Sequence, residues 1–156
     1  MPARNCGNCT ACCLTHAVAE VKKPLAQWCR HCNIGKGCRI YSSRPNDCKL
    51  FRCEWLKGFG SECFRPDRTG VVLDFVSGTK VGQLLQVWEA REGCLATIEI
   101  WELTRELLHA GAFVCHLYLR GKKLLFVPSG ITLTKEMEES ILKEEIELTY
   151  FPILGL

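Results

Sequence analysis

The placement of cysteines constrains this chain more than any other feature of its sequence. Ten of the 12 cysteines lie within residues 1–63 of a 156-residue chain. Such a density serves either as disulfide staples in a small secreted domain or as metal and redox ligands in an intracellular chain. Because the first residues lack the apolar core of an export signal, we expect a cytoplasmic protein whose thiols act as ligands.

The two halves of the sequence differ in charge. Residues 1–68 hold 12 Lys and Arg against 5 Asp and Glu, whereas residues 69–156 hold 8 against 12. A proline within the charged stretch 64–68 is typical of a connector. We therefore expect a cysteine-rich metal-binding region over residues 1–66 and an α+β region over residues 67–156.

The second region alternates between strand and helix patterns. Apolar and β-branched runs around turn residues predict one hairpin over 71–88 and another over 113–127. Apolar residues at helical spacing predict a helix over 95–108, and Thr134 is a candidate N-cap for a helix from residue 135 to about 148. This ββαββα order predicts a small antiparallel sheet with two helices, on which the cysteine-rich region packs.

The α+β region carries no motif that we can assign to catalysis. It has neither a glycine-rich phosphate loop nor a dinucleotide fingerprint. Cys115 and His116 are adjacent on a predicted strand, so their side chains point to opposite faces. We expect a core thiol beside a surface imidazole, and a binding protein rather than an enzyme.

The main chemical signal is the C-x-x-C-x-x-C-C run over residues 6–13. A C-x-x-C loop turns two sulfurs towards one metal, and thiolates are preferred ligands of zinc and of iron–sulfur clusters. The adjacent Cys12 and Cys13 leave the backbone in different directions. They therefore serve two neighbouring centres, or one of them is a spare thiol.

Further ligand candidates follow along the chain. A second C-x-x-C spans residues 29–32 and offers His31 as an imidazole donor, and Cys38 follows a glycine at which the backbone can turn sharply. Cys48 and Cys53 are five residues apart, about 140° around an ideal helix. Either a helix ends between these two cysteines or they contact different centres.

Two aromatic residues accompany the last of these cysteines. Phe51 and Trp55 stand four residues apart, at the spacing of neighbours on a helix face. We expect them to wall the site on its apolar side.

These elements resemble the YkgJ-like cysteine-cluster proteins, also called the zinc- or iron-chelating C-x-x-C-x-x-C-C family. The resemblance rests on residues 6–13, on residues 37–48, which look like the family's G-x-C-x-I-Y-x-x-R-P-x-x-C element and match it from Cys38 onwards, and on the F-x-C at 51–53. The family has one more cysteine upstream of the G-x-C element; this chain offers Cys29 and Cys32, and we prefer Cys32 by its spacing. The resemblance covers about a third of the chain and implies metal binding without an assigned reaction.

The cysteines that match this pattern suffice for two four-thiolate centres. Two zinc ions would form a closed structural site, whereas an iron–sulfur cluster would permit electron transfer. The run resembles a ferredoxin motif but lacks that motif's fourth cysteine. We expect about two Zn²⁺ ahead of a [4Fe-4S] cluster, with Cys29 and His31 as further candidate ligands. The matching set is Cys6, Cys9, Cys12, Cys13, Cys32, Cys38, Cys48 and Cys53.

Two other functions compete with structural metal binding. The basic residues within 30–52 are typical of a zinc module that binds nucleic acid. However, eight thiolates and two zinc ions would lower the charge of residues 1–68 from +7 to +3, a weak field for phosphate. A thiol redox enzyme needs an exposed reactive thiolate, for which Cys29 and Cys63 are the surplus candidates. We expect metal ions as partners, and neither nucleic acid nor a membrane.

Overall fold

The computed structural model describes residues 4–79 and 81–150. Within these ranges the predicted α+β class is confirmed, with six α-helices, a five-stranded sheet and a separate two-stranded sheet. The first and last positions of the predicted regions 1–66 and 67–156 lie outside the described residues. No helix of the described chain is long and apolar enough to cross a membrane.

The cysteine-rich half is built from short elements joined by turns. No α-helix or strand described between residues 4 and 70 exceeds five residues. These elements are α1 (Ala11–Thr15), β1 (Cys32–Asn33), β2 (Gly37–Cys38), α2 (Asn46–Leu50), α3 (Glu54–Lys57) and α4 (Pro66–Thr69), with 3₁₀ turns at Ala19–Val21, Tyr41–Ser43 and Glu62–Phe64.

The second half contains the longer elements, and its strands follow one another in chain order across the large sheet. Both predicted hairpins and the helix between them are present. Thr134 caps the last helix, its hydroxyl accepting a hydrogen bond from the amide of Met137 at 3.2 Å. The elements are β3 (Val71–Thr79), β4 (Gly82–Glu89), α5 (Ile98–His109), β5 (Phe113–Leu117), β6 (Lys123–Val127), α6 (Lys135–Lys143) and β7 (Ile146–Tyr150).

The sheet differs from the predicted antiparallel ββαββα arrangement in two respects. A fifth strand, β7, follows the last helix, and the pairs β4–β5 and β6–β7 are parallel. A crossover helix returns the chain to the end of the sheet at which the preceding strand began, so the next strand runs parallel to it. The sheet is therefore mixed: two antiparallel hairpins are joined in parallel through α5, and β7 is added through α6.

The predicted helix over 135–148 is too long, because α6 ends at Lys143. Glu145 adopts a left-handed backbone with φ 57°, which ends the helical path. Beyond it, Ile146 and Leu148 alternate towards the apolar cluster under α6. Apolar residues two positions apart are typical of a strand, and the sequence contains this spacing at Ile146 and Leu148.

The two long helices cover opposite faces of the sheet. On β5, Val114 joins the apolar cluster that contains Ile100 of α5, while the adjacent Cys115 joins the cluster that contains Ile141 of α6. The hydrophobic core of the described chain therefore consists of two layers, one on each side of the sheet.

His116 is fully buried, which corrects the expectation of a surface imidazole. Its Nε2 lies 2.9 Å from Oγ1 of Thr104, and its ring packs against Trp101 and Phe126. Burial lowers the pKa of His116 to about 4. The neighbouring thiol of Cys115 faces the other cluster, as expected, so the two side chains form no catalytic pair.

Candidate metal centre

Eight thiols line one cavity of about 620 Å³ in the cysteine-rich half. Seven of the eight predicted ligands are among them. The exception is Cys32, which does not line the cavity, whereas Cys29, a further candidate, does. Phe51 and Trp55 also line the cavity, although they are not neighbours on one helix: Phe51 follows α2 and Trp55 lies in α3. The cysteines that line it are Cys6, Cys9, Cys12, Cys13, Cys29, Cys38, Cys48 and Cys53, together with His16 and His31.

The first C-x-x-C folds into a closed turn. The amide of Cys9 donates to the carbonyl of Cys6 at 2.9 Å, and Gly7 occupies a left-handed position with φ 52°. Arg65 fixes this turn from a distant part of the chain, donating to the carbonyl of Cys6 at 3.0 Å and to Oδ1 of Asn8 at 2.6 Å. Because such a turn holds its end residues within about 7 Å between Cα atoms, the two thiols are neighbours before any ligand binds.

The second C-x-x-C folds in the same way. The amide of Cys32 donates to the carbonyl of Cys29 at 2.9 Å, and the amide of Cys29 donates to the carbonyl of Cys13 at 3.0 Å. Cys32 is paired directly with Cys38 across the β1–β2 ladder. Residues paired in this way have Cβ atoms about 4.5–5.5 Å apart on one face. Cys32 therefore remains next to a cavity thiol, although it does not itself line the cavity.

Cys48 and Cys53 lie on different helices. The first is within α2, which ends at Leu50, and the second is the residue that precedes α3. The first of the two predicted alternatives, a helix that ends between the two cysteines, is therefore what the structure shows.

Electrostatic contacts divide the thiols into two groups. Burial raises the pKa of Cys53, and the neighbouring Cys6 and Cys9 add to this rise. Burial likewise raises the pKa of Cys48, and here the neighbouring thiols that add to the rise are Cys13, Cys29 and Cys38. We call Cys6, Cys9 and Cys53 the first thiol group, and Cys13, Cys29, Cys32, Cys38 and Cys48 the second.

Cys12 is linked to the second group through its neighbour. A hydrogen bond with the thiol of Cys12, followed by burial, raises the pKa of Cys13. Burial and then the charge of Cys13 raise the pKa of Cys32 to about 12. These thiols disfavour the thiolate form in one another, and a bound cation would reverse that preference.

His16 forms part of the cavity wall. Its ring lies 4.2 Å from that of Phe51 and 5.0 Å from that of Trp88, measured between centroids. Its Nδ1 lies 2.7 Å from Oγ1 of Thr15. Burial, and then the charge of Lys23, lower the pKa of His16 to about 4.

Lys23 is a buried cation that sequence reasoning missed. It is only 6% exposed, and its ammonium donates to the carbonyls of Leu14 at 3.1 Å, Pro24 at 3.0 Å and His16. Burial lowers the pKa of Lys23, and nearby thiols, Cys29 foremost, act in the opposite direction. In a sequence, a lysine beside a proline is typical of a solvated loop, so only the three-dimensional structure identifies Lys23 as buried.

Two arginines brace the cavity wall at Trp55. The guanidinium carbons of Arg4 and Arg65 lie 5.0 and 5.6 Å from the indole ring, within the range of cation–π contact. Arg4 also donates to the carbonyl of Trp55 at 2.7 Å. The indole nitrogen of Trp55 is buried without a hydrogen-bond partner among the described residues.

The thiols approach one another without forming a closed coordination site. Across residues 4–79 and 81–150, no set of three or more Cys, His, Asp or Glu side chains is positioned to hold a metal ion. All 12 cysteines are free thiols. Comparison with protein-family models, with curated proteins and with solved structures found no match.

Proposed function

We propose that the cysteine-rich half binds metal ions through cysteine thiolates at two neighbouring centres. The observation that carries this proposal is the presence of eight free thiols on one cavity, two of them in a closed C-x-x-C turn. Metal binding removes protons from thiols, so it offsets the cost that burial imposes on the thiolate. We also propose that the chain is related to the YkgJ-like family, and that it works in the reducing setting of the cytoplasm.

The polar groups around the cavity fit a negatively charged centre. Lys23 places a buried ammonium beside thiols of the second group, and a buried charge is costly unless it has a counter-charge. Trp55 adds a buried indole N–H for which the described chain provides no acceptor. Metal-bound thiolates carry negative charge and accept hydrogen bonds from such donors.

The division of the thiols supports two centres rather than one. The first thiol group holds three cysteines and the second holds five, and Cys12 stands at their junction in sequence. Two tetrahedral zinc ions would use four thiolates each and leave no open position, which makes a structural role. We propose about two Zn²⁺ as the occupants, without a catalytic reaction.

An iron–sulfur cluster is the second candidate, because the free thiols around this cavity are also the ligands that such a cluster takes. Such a protein would transfer electrons or sense redox state.

Serine substitutions test the thiolate ligands. Cys9→Ser removes one thiol of the first group and Cys48→Ser one of the second, while Cys63→Ser changes an exposed thiol outside the cavity. With protein purified without oxygen, we expect each of the first two variants to lose about half of the bound metal and Cys63→Ser to lose none. Equal metal content in all three variants, or no metal in the unmodified protein, would overturn the proposal.

A further inference from the structure

His16 has the geometry of a nitrogen ligand, although it is not a member of the predicted ligand set. Its ring lines the same cavity as the thiols. Nε2 is buried and has no hydrogen-bond partner among the described residues, while Nδ1 is held 2.7 Å from the hydroxyl of Thr15. The rings of Phe51 and Trp88 fix the plane of the imidazole.

The hydroxyl of Thr15 selects the useful tautomer. This hydroxyl lies 3.4 Å from the carbonyl of Ala11, to which it can donate, and it then accepts the proton of Nδ1. That arrangement leaves a lone pair on Nε2. Histidines that bind metals commonly show the same pattern, with one ring nitrogen held by an oxygen and the other bound to the ion.

The position of His16 in the chain places it beside a cysteine of the set. It immediately follows α1, and its amide donates to the carbonyl of Cys12 at 3.2 Å. Residues four apart lie on the same side of a helix. Two donors at this spacing can share one metal ion, as the two histidines of an H-E-x-x-H helix do.

We propose that Nε2 of His16 is a ligand of the metal centre that contains Cys12, and that Thr15 is a positioning residue for it. This inference rests on the proposed metal-binding function. It makes one of the two centres a mixed sulfur–nitrogen site. A neutral imidazole in place of a thiolate leaves that centre one charge less negative, and in iron–sulfur proteins such a replacement raises the reduction potential.

The direct test is nuclear magnetic resonance of the full chain loaded with cadmium and labelled with nitrogen-15 in histidine. We expect scalar coupling between cadmium and Nε2 of His16 in the unmodified protein. If cadmium binds to the thiolates without this coupling, the inference about His16 is wrong and the proposed function stands. If the thiols bind no cadmium, the proposed function itself fails.

Variants provide the second readout, the affinity for cobalt(II). His16→Gln is expected to weaken binding at least about tenfold, since loss of an outer-shell partner alone costs that much. Thr15→Val should also weaken binding about tenfold, and Thr15→Ser, which keeps the hydroxyl, should restore it. His109→Gln, an exposed histidine at the end of α5, is the control and should bind like the unmodified protein. Unchanged affinity in His16→Gln would overturn the inference.

Discussion

The two halves of this chain differ in the length of their elements and in how much apolar surface they bury. The half from β3 to β7 buries two apolar clusters, one on each face of a five-stranded sheet. The cysteine-rich half has no α-helix or strand longer than five residues among its described positions, and it places eight thiols around one cavity. Its buried apolar side chains among the described residues are Ala11, Leu14, Val18, Trp55 and Pro66.

This contrast bears on how each half is stabilised. Burial of apolar surface stabilises a domain by roughly 25 cal/mol per Å², and the sheet half has the apolar mass to use it. Small regions with little core generally require disulfides or metals. The 12 cysteines are free thiols, so the proposed metal binding would supply this stabilisation in the cysteine-rich half.

The two halves also meet at defined contacts. The free edge of β3 is covered where Oε1 of Glu54 accepts a hydrogen bond from the amide of Phe75 at 3.0 Å. Val72 of the same strand lines the thiol cavity, and the ring of Trp88 of β4 packs at a tilt against that of His16. The sheet therefore provides one wall of the candidate metal centre. In return, the contact from Glu54 protects part of an exposed strand edge, and such edges are prone to mispairing.

Metal removal is expected to give the largest difference between the halves. A structural zinc ion contributes about 10–16 kcal/mol to the folding of small zinc modules. After chelation, we expect amide protection and protease resistance to disappear over residues 4–66 and to remain over β3 to β7. Hydrogen exchange read by mass spectrometry measures both regions in one sample. Full protease resistance up to Trp55 in the metal-free protein would contradict this expectation.

A core substitution should reverse the pattern. Leu85 is completely buried in the cluster under α5, so Leu85→Ala is expected to lower the free energy of unfolding of the sheet half by about 2–5 kcal/mol. Leu142→Ala, at an exposed site on α6, should cost less than about 0.5 kcal/mol. Urea denaturation measures both values, and metal content should stay unchanged. Loss of metal in Leu85→Ala would show that the two halves do not fold separately.

Acid should weaken the sheet half through His116. Its pKa is about 4 in the folded chain, below the ordinary 6.5, because burial disfavours the charged ring. The contribution of neutral His116 to the free energy of unfolding is therefore complete above pH 6.5. It is lost as pH falls from 6.5 to 4, by about 3 kcal/mol in total. The side chains facing the imidazole are Thr104, Trp101, Phe126 and Tyr118, none of which titrates in this range.

Urea denaturation of the metal-free protein at several pH values measures this loss without a contribution from metal release. His116→Phe removes the titrating group and should flatten the dependence between pH 6.5 and 4. An equally steep dependence in that variant would assign the effect to other groups.

The smallest expected effect belongs to Lys23. Lys23→Met removes the buried ammonium beside the second thiol group, and we expect metal affinity to fall about tenfold, the order of one partly screened charge. Lys22→Met changes the neighbouring exposed lysine and is the matched control. Competition with a chromogenic chelator measures both variants. Equal affinities would mean that Lys23 only ties the carbonyls of its own loop.

Local patterns predicted the elements of the sheet half but not their assembly. Turn residues and apolar spacing located both hairpins, α5 and the cap at Thr134. The parallel pairing of β4 with β5 depends on where a helix returns the chain, which no local window contains. The helix prediction overran into β7 because acidic residues at 144 and 145 are compatible with a helix until Glu145 turns left-handed.

At the candidate site, spacing located the thiols and missed the groups around them. The C-x-x-C-x-x-C-C run identified the cysteines at 6–13, and seven of the eight predicted ligands do line one cavity. Arg65 and the burial of His16 depend on contacts between distant segments, and Lys23 depends on a loop that folds back onto Leu14, so their residue types alone carry no signal.

The most direct measurement is the metal and acid-labile sulfide content of protein purified without oxygen, together with its visible spectrum. We expect about two zinc ions per chain and colourless protein. Iron matched by sulfide, in brown protein, would keep the thiolate centre and change its role to electron transfer or redox sensing. Metal-free protein that protects residues 4–66 as fully as β3 to β7 would contradict a metal-organised cysteine region.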